Sequence, residues 1–147
     1  MNNTIQWPLI GFIVFVFIQS LFFKFSGSEE TVIIFNTIGT WMQSIGIASH
    51  YANGFAAHGG QLIGIVELVA SALIIIPITR LFGALLSLGV MSGAIFFHLF
   101  TPLGVNRVID AAGNTDGGVL FFMACGVWLC AAATAFNNCP NKKKPIH

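Results

Sequence analysis

Four stretches of the chain, roughly residues 5–23, 61–79, 81–100 and 118–136, are apolar almost throughout and each about twenty residues long. A hydrocarbon core of about 30 Å takes about 20 residues of helix to cross. A segment in lipid must also satisfy its own backbone hydrogen bonds, so runs of this length inside a bilayer are helices. The pattern predicts an all-α membrane protein, a four-transmembrane-helix bundle with an extracytoplasmic amphipathic helical connection, in a single domain over 1–147. Composition agrees: 7% of the residues are charged, against about 25% in a soluble domain.

The connections set the topology. An even number of spans puts both termini on one side, together with Arg80 and Lys142–Lys144, and leaves Lys24 and Arg107 on the other. The excess of Lys and Arg on the first side predicts that both termini are cytoplasmic, in a bacterial inner membrane. No Ala-x-Ala-like site follows the first run, which reads as a retained helix and not a cleaved signal. In the first long connection, Ser28 can cap a short helix with Glu29 and Glu30 in its first turn, where carboxylates suit the positive helix end. Gly39 is expected to end it, and Val32, Ile33, Phe35 and Ile38 to give it an apolar face lying on the membrane or across the bundle mouth. Trp41–Ala57 is open between an interfacial helix, a re-entrant piece and a further span. Trp7, Trp41 and Tyr51 read as interfacial anchors.

Several function classes lose support. No basic stripe interleaves with aromatics, so nucleic acid is not an expected partner. No Cys-x-x-Cys occurs among Cys125, Cys130 and Cys139, which removes the hardware of a dithiol mechanism. Cys125 and Cys130 fall about 140° apart on a helix and read as packing residues. His50 and His58 are eight apart, a spacing that suggests no metal site; His147 is terminal.

The chemistry gathers around Glu67, a carboxylate inside an apolar run. A charge at membrane depth costs about 2.5–3.5 kcal/mol on insertion scales and usually faces a partner or a wet cavity. Gly60, Gly64, Glu67 and Ser71 form one helical stripe, so Glu67 is expected to face the bundle interior and to meet Lys24 or His98. Ala84, Ser87, Met91, Ala94 and His98 form a second stripe. Lys24 ends the first run one turn after Ser20, and Asp116 opens the fourth. Lys24, Glu67, His98 and Asp116 therefore fall at one level of the bundle. Lys24 can neutralise Glu67, His98 can change charge near neutral pH, and Asp116 can orient His98 or bind Lys24. Such a set is either a polar latch that fixes helix register or a pocket for a small ligand, a quinone headgroup or a proton.

The same residues resemble motifs of the DoxX-like family of small bacterial membrane proteins. Phe22-Phe23-Lys24-Phe25-Ser26-Gly27, followed by Glu29-Glu30 and Ile34-Phe35, is similar to that family's entrance motif. Gly64-Ile65-Val66-Glu67-Leu68 is similar to its second-helix motif. Gly83-Ala84-Leu85-Leu86 through His98 resembles its third helix, and Asp116-Gly117-Gly118-Val119-Leu120-Phe121 its fourth. The four matches run in order over most of the chain. The resemblance implies a four-helix membrane bundle, with Lys24, Glu67, His98 and Asp116 at its shared positions. The family's name comes from subunits linked to thiosulfate:quinone oxidoreductase. The longer stretches at Trp41–Gly64 and Val105–Thr115 depart from its pattern.

The reading that follows is a small membrane protein with an extracytoplasmic-facing polar pocket, acting as subunit or accessory factor of a membrane assembly, quinone-linked redox complexes included. Other membrane subunits, or further copies of the chain, are its expected partners beside the lipid bilayer. A stand-alone membrane oxidoreductase, a proton-coupled carrier and a purely structural assembly factor are the alternatives. No catalytic residue is assigned from sequence.

Overall fold

The computed structural model describes residues 3–139, with side chains from Gln6 onward; Lys142–Lys144 and His147 lie outside them. The described residues form five helices: α1 (Asn3–Ser26), α2 (Glu29–Ser44), α3 (Ser49–Ile75), α4 (Arg80–Phe100) and α5 (Val119–Asn138). Four of them, α1, α3, α4 and α5, are long and apolar enough to cross a membrane. They close a ring in which α1 and α4 each pack on both α3 and α5. The core between them holds Ile10, Ile13, Phe17, Ile74, Val127 and Ala131. Phe15, Phe22, Phe82, Leu129 and Phe136 point outward and exposed, the pattern of helices whose outer face meets hydrocarbon.

The second span differs from its sequence expectation of 61–79. Helix α3 starts at Ser49 and stops at Ile75, which at 1.5 Å per residue makes it about 40 Å long. Trp41–Ala57 is thus neither a re-entrant piece nor a further span. It divides into the end of α2, a four-residue turn and the start of α3. Helix α2 begins where expected, with the Ser28 hydroxyl accepting from the Thr31 amide at 3.3 Å. It does not end at Gly39 but runs on to Ser44. The reason is packing. A Cβ on Gly39 would fall 2.8 Å from Ala56 Cβ and 3.0 Å from the Ala52 carbonyl, so the glycine serves close approach to α3 and not termination. The buried face of α2 is Thr31, Phe35, Ile38 and Gly39; Val32 is exposed.

Helix α2 therefore runs antiparallel along the first half of α3, and Trp41 near its end stands edge-on to Phe96 and Phe97 of α4, with ring centroids 6.2 Å away in each case. Phe55 of α3 joins the same cluster, 6.3 Å from Phe97. Trp41, read from the sequence as an interfacial anchor, thus also belongs to an aromatic roof over one end of the ring. Tyr51 is exposed.

At the opposite end the chain reverses tightly from α3 to α4. A Cβ on Gly83 would come within 2.7 Å of Ile74 Cα, so only glycine lets the first turn of α4 cross there. Arg80 is buried at this reversal, donating to the carbonyls of Ile74 (3.2 Å) and Ile75 (3.3 Å) and to Gln6 Oε1 (3.2 Å). It satisfies carbonyls at the negative end of α3 and lies 5.1 Å over the Trp7 ring. Asn138 Nδ2 also donates to Gln6 Oε1, at 3.3 Å. The start of α1, the α3–α4 turn and the end of α5 thus share one end of the bundle.

Candidate functional site

At the other end lie the residues singled out by the sequence. Lys24, in the last turn of α1, reaches Glu67 of α3, with Nζ 2.5 Å from Oε2. Ser20, one turn earlier, donates to the same oxygen at 2.6 Å and accepts from Lys24 at 3.1 Å. The Glu67 side chain is 3% exposed and that of Lys24 17%, so the pair sits inside the bundle. Gly60, Gly64, Glu67 and Ser71 are all buried, as a single inward stripe requires. On α4, Ala84, Ser87, Met91 and His98 are buried and Ala94 partly so.

His98 does not meet Glu67. Its Nδ1 lies 2.7 Å from the carbonyl oxygen of Gly104. A carbonyl only accepts, so Nδ1 carries the proton, and in the neutral ring Nε2 is left as an acceptor. The ring stands edge-on to Phe121, 5.8 Å between centroids.

Asp116 neither orients His98 nor binds Lys24. Its carboxylate accepts from the amides of Gly118 (2.9 Å) and Leu120 (3.2 Å), closing the start of α5, where a negative group is favoured. Its ion-pair partner is Arg107, with Nε 3.5 Å from Oδ2. Arg107 also binds Glu30 of α2 through Nη2. The Arg107 side chain is 1% exposed, and neither its Nη1 nor, apart from the ion pair with Asp116, its Nε has a hydrogen-bond partner among the described residues. Beside it, the Ala111 amide donates to Glu29 Oε1 at 2.7 Å. The loop that supplies Arg107 is held by a β-bridge between Val108 and Thr115. Within that loop, hydrogen bonds from Asn114 hold the Asp110 carboxyl below its usual range.

Sequence reasoning missed Arg107 and Glu30 as site residues. Arg107 reads as a loop charge and Glu30 as a helix-end acid. A charge count was the available signal: a lone Arg shares its side of the bundle with several carboxylates, and a buried cation requires one.

All four singled-out residues, and Glu30, line one cavity of about 640 Å³, within the range of about 300–1,000 Å³ typical of small-molecule sites. Along α4 its wall runs from Leu85 to His98, about 20 Å at the helical rise. The polar groups stand at the α2 end. Below them the walls are apolar, with Phe17, Ile63, Leu86, Val90 and Met123 among them.

His50 and His58 are exposed on α3, and among the described residues no three His, Cys, Asp or Glu gather as a metal would need. Cys125, Cys130 and Cys139 are free thiols. Comparison of the chain with protein-family models, with curated proteins and with solved structures gives no match.

Proposed function

We propose that this chain is a small integral membrane subunit or accessory factor that holds a lipid-soluble amphiphile in its cavity. The observation that carries the reading is the division of that cavity into a long apolar wall and one polar end bearing Lys24, Glu67, His98 and Asp116. A molecule with an apolar tail and a small polar headgroup is complementary to such a shape, and the isoprenoid quinones, in oxidised or reduced form, are the leading class. The resemblance to DoxX-like proteins points the same way. In a bacterial cytoplasmic membrane the Arg80 end would be cytoplasmic and the α2 roof extracytoplasmic, by the bias of basic residues.

A structural role draws support from one feature. Lys24 and Glu67 already satisfy each other, as a latch would require. An enzyme or proton carrier would use Glu67 and His98 instead.

The test is purification in mild detergent, followed by mass spectrometry of retained lipids and partner chains. The wild-type chain is expected to retain an apolar amphiphile. The Glu67→Leu, Lys24→Met double variant, which leaves no lone buried charge, is expected to insert and fold but to lose it. A folded double variant that keeps every ligand and partner would overturn the reading, and one that fails to fold would favour the latch.

A further inference from the structure

Among the side chains that line the cavity, the hydrogen-bonding capacity left over at the polar end is mostly accepting; Arg107, whose Nε and Nη1 lack hydrogen-bond partners among the described residues, is not one of them. Nδ1 of His98 is committed to Gly104 at 2.7 Å, so in the neutral ring its open position is the Nε2 lone pair. That atom has no partner among the described residues, although His98 is only 7% exposed and lines the cavity. Glu67 receives both Lys24 and Ser20 on Oε2, and no hydrogen bond from a described residue reaches its other oxygen. Ser20 spends its proton on Glu67. Lys24 spends two of its three, on Glu67 and Ser20.

The charges point the same way. Three carboxylates, Glu30, Glu67 and Asp116, and one cation, Lys24, line the cavity, and a second cation, Arg107, is paired with Glu30 and Asp116. Both cations are already bound to carboxylates. An anionic headgroup would find no unpaired cation and would have to displace a buried pair. A headgroup with no donor would leave His98 Nε2 buried and unsatisfied, which carries the desolvation cost of that group.

We infer that the cavity selects a neutral amphiphile whose headgroup donates an O–H to His98 Nε2, the phenol and quinol class, over carboxylate-headed lipids and over headgroups that only accept. Of a quinone pair it holds the reduced, hydroxylated member. The inference rests on the reading of the cavity as an amphiphile site.

Three probes of similar length separate the possibilities: 4-nonylphenol, its methyl ether, and decanoate. Each is added at the same mole fraction to the detergent-purified chain, and bound adducts are counted by native mass spectrometry. The phenol is expected to be retained about tenfold better than either other probe, which is what one hydrogen bond of ordinary strength amounts to. In the His98→Phe variant, phenol retention should fall to the level of the ether while the ether is unchanged. Equal retention of phenol and ether, retention of decanoate equal to or above the phenol, or a folded His98→Phe variant that keeps the phenol preference would each overturn the inference and leave the cavity reading standing. Should His98→Phe fail to fold, the wild-type series decides alone. Failure of the wild-type chain to retain any of the three would sink the cavity reading itself.

Discussion

Arg107 and Glu30 are bonded to each other at the polar end of the cavity, joining the α4–α5 loop to the first turn of α2. Helix α2 is thereby held at both ends. Its start is tied by Glu30 to Arg107 and by Glu29 to the Ala111 amide. Its end is pinned by Trp41 against Phe96 and Phe97. The roof of the cavity is thus fixed by charge on one side and by aromatic contact on the other.

Replacing Arg107 should be the most damaging single change in the loop. Arg107→Met strands Asp116, 8% exposed, and Glu30, 25% exposed. Removing one partner of a buried ion pair costs about 3–5 kcal/mol. Glu30→Gln leaves Arg107 beside Asp116, and it should cost less, on the order of 1–3 kcal/mol. Unfolding midpoints in one detergent test the order. If Glu30→Gln proves as damaging as Arg107→Met, Arg107 does not anchor the roof through both carboxylates.

The Lys24–Glu67 pair makes a prediction of opposite form. Lys24→Met alone leaves a buried carboxylate with only Ser20 beside it and should lose about 3–5 kcal/mol. Adding Glu67→Leu should restore most of that loss, because replacing a whole buried pair by apolar groups is often neutral. Thermal unfolding of the two variants side by side measures the recovery. A double variant no more stable than Lys24→Met would mean that Glu67 supports the fold through something other than its partner.

What the chain disclosed on its own followed from physical strength of signal. The apolar runs are long, and their helical nature is imposed by lipid, so four spans and the inward stripe through Glu67 were legible. That Glu67 has a polar partner was legible too, because a carboxylate at that depth requires one; the sequence left Lys24 and His98 as candidates, and only the fold shows that it is Lys24. Gly39 misled because glycine ends helices and also lets them touch, and only the position of Ala52 and Ala56 distinguishes the two. The start of α3 was hidden since 49–60 is rich in small and polar residues and packs against α2, so it lies just ahead of the apolar run at 61–79 and not within it. Arg107 left only its charge as a signal: a loop with positive-φ glycines, at Gly104, Gly113, Gly117 and Gly118, folds it inward, and no periodicity records that.

Gly39 itself offers a sharp contrast with Gly54. A methyl at Gly39 meets Ala56 and the backbone of Ala52, whereas one at Gly54 meets nothing within 4 Å. Both positions are helical. Gly39→Ala should destabilise by about 1–3 kcal/mol through overpacking, while Gly54→Ala should be neutral or stabilising by about 0.5–1 kcal/mol through its better helix propensity. Melting of the two variants gives the signs. A stabilised Gly39→Ala variant would show that α2 does not lie this close to α3.

The proposed orientation is testable from outside intact cells by thiol labelling, in a background with Cys125, Cys130 and Cys139 replaced. Arg107 is unsuitable as a reporter, since it is 2% exposed and its loss would unsettle the roof. Ala112, in the same loop, is exposed, and Ile78 in the α3–α4 turn is 87% exposed. Both lie outside the helices, so a cysteine at either disturbs little packing. With Arg80 at the cytoplasmic end, as the bias of basic residues suggests, a membrane-impermeant maleimide should label Ala112→Cys in intact cells and reach Ile78→Cys only after lysis. The reverse pattern would turn the bundle over and open the polar end of the cavity toward the cytoplasm. Labelling of both before lysis would contradict the assignment of the two reversals to opposite faces of the membrane, and with it the four-span reading of the long helices.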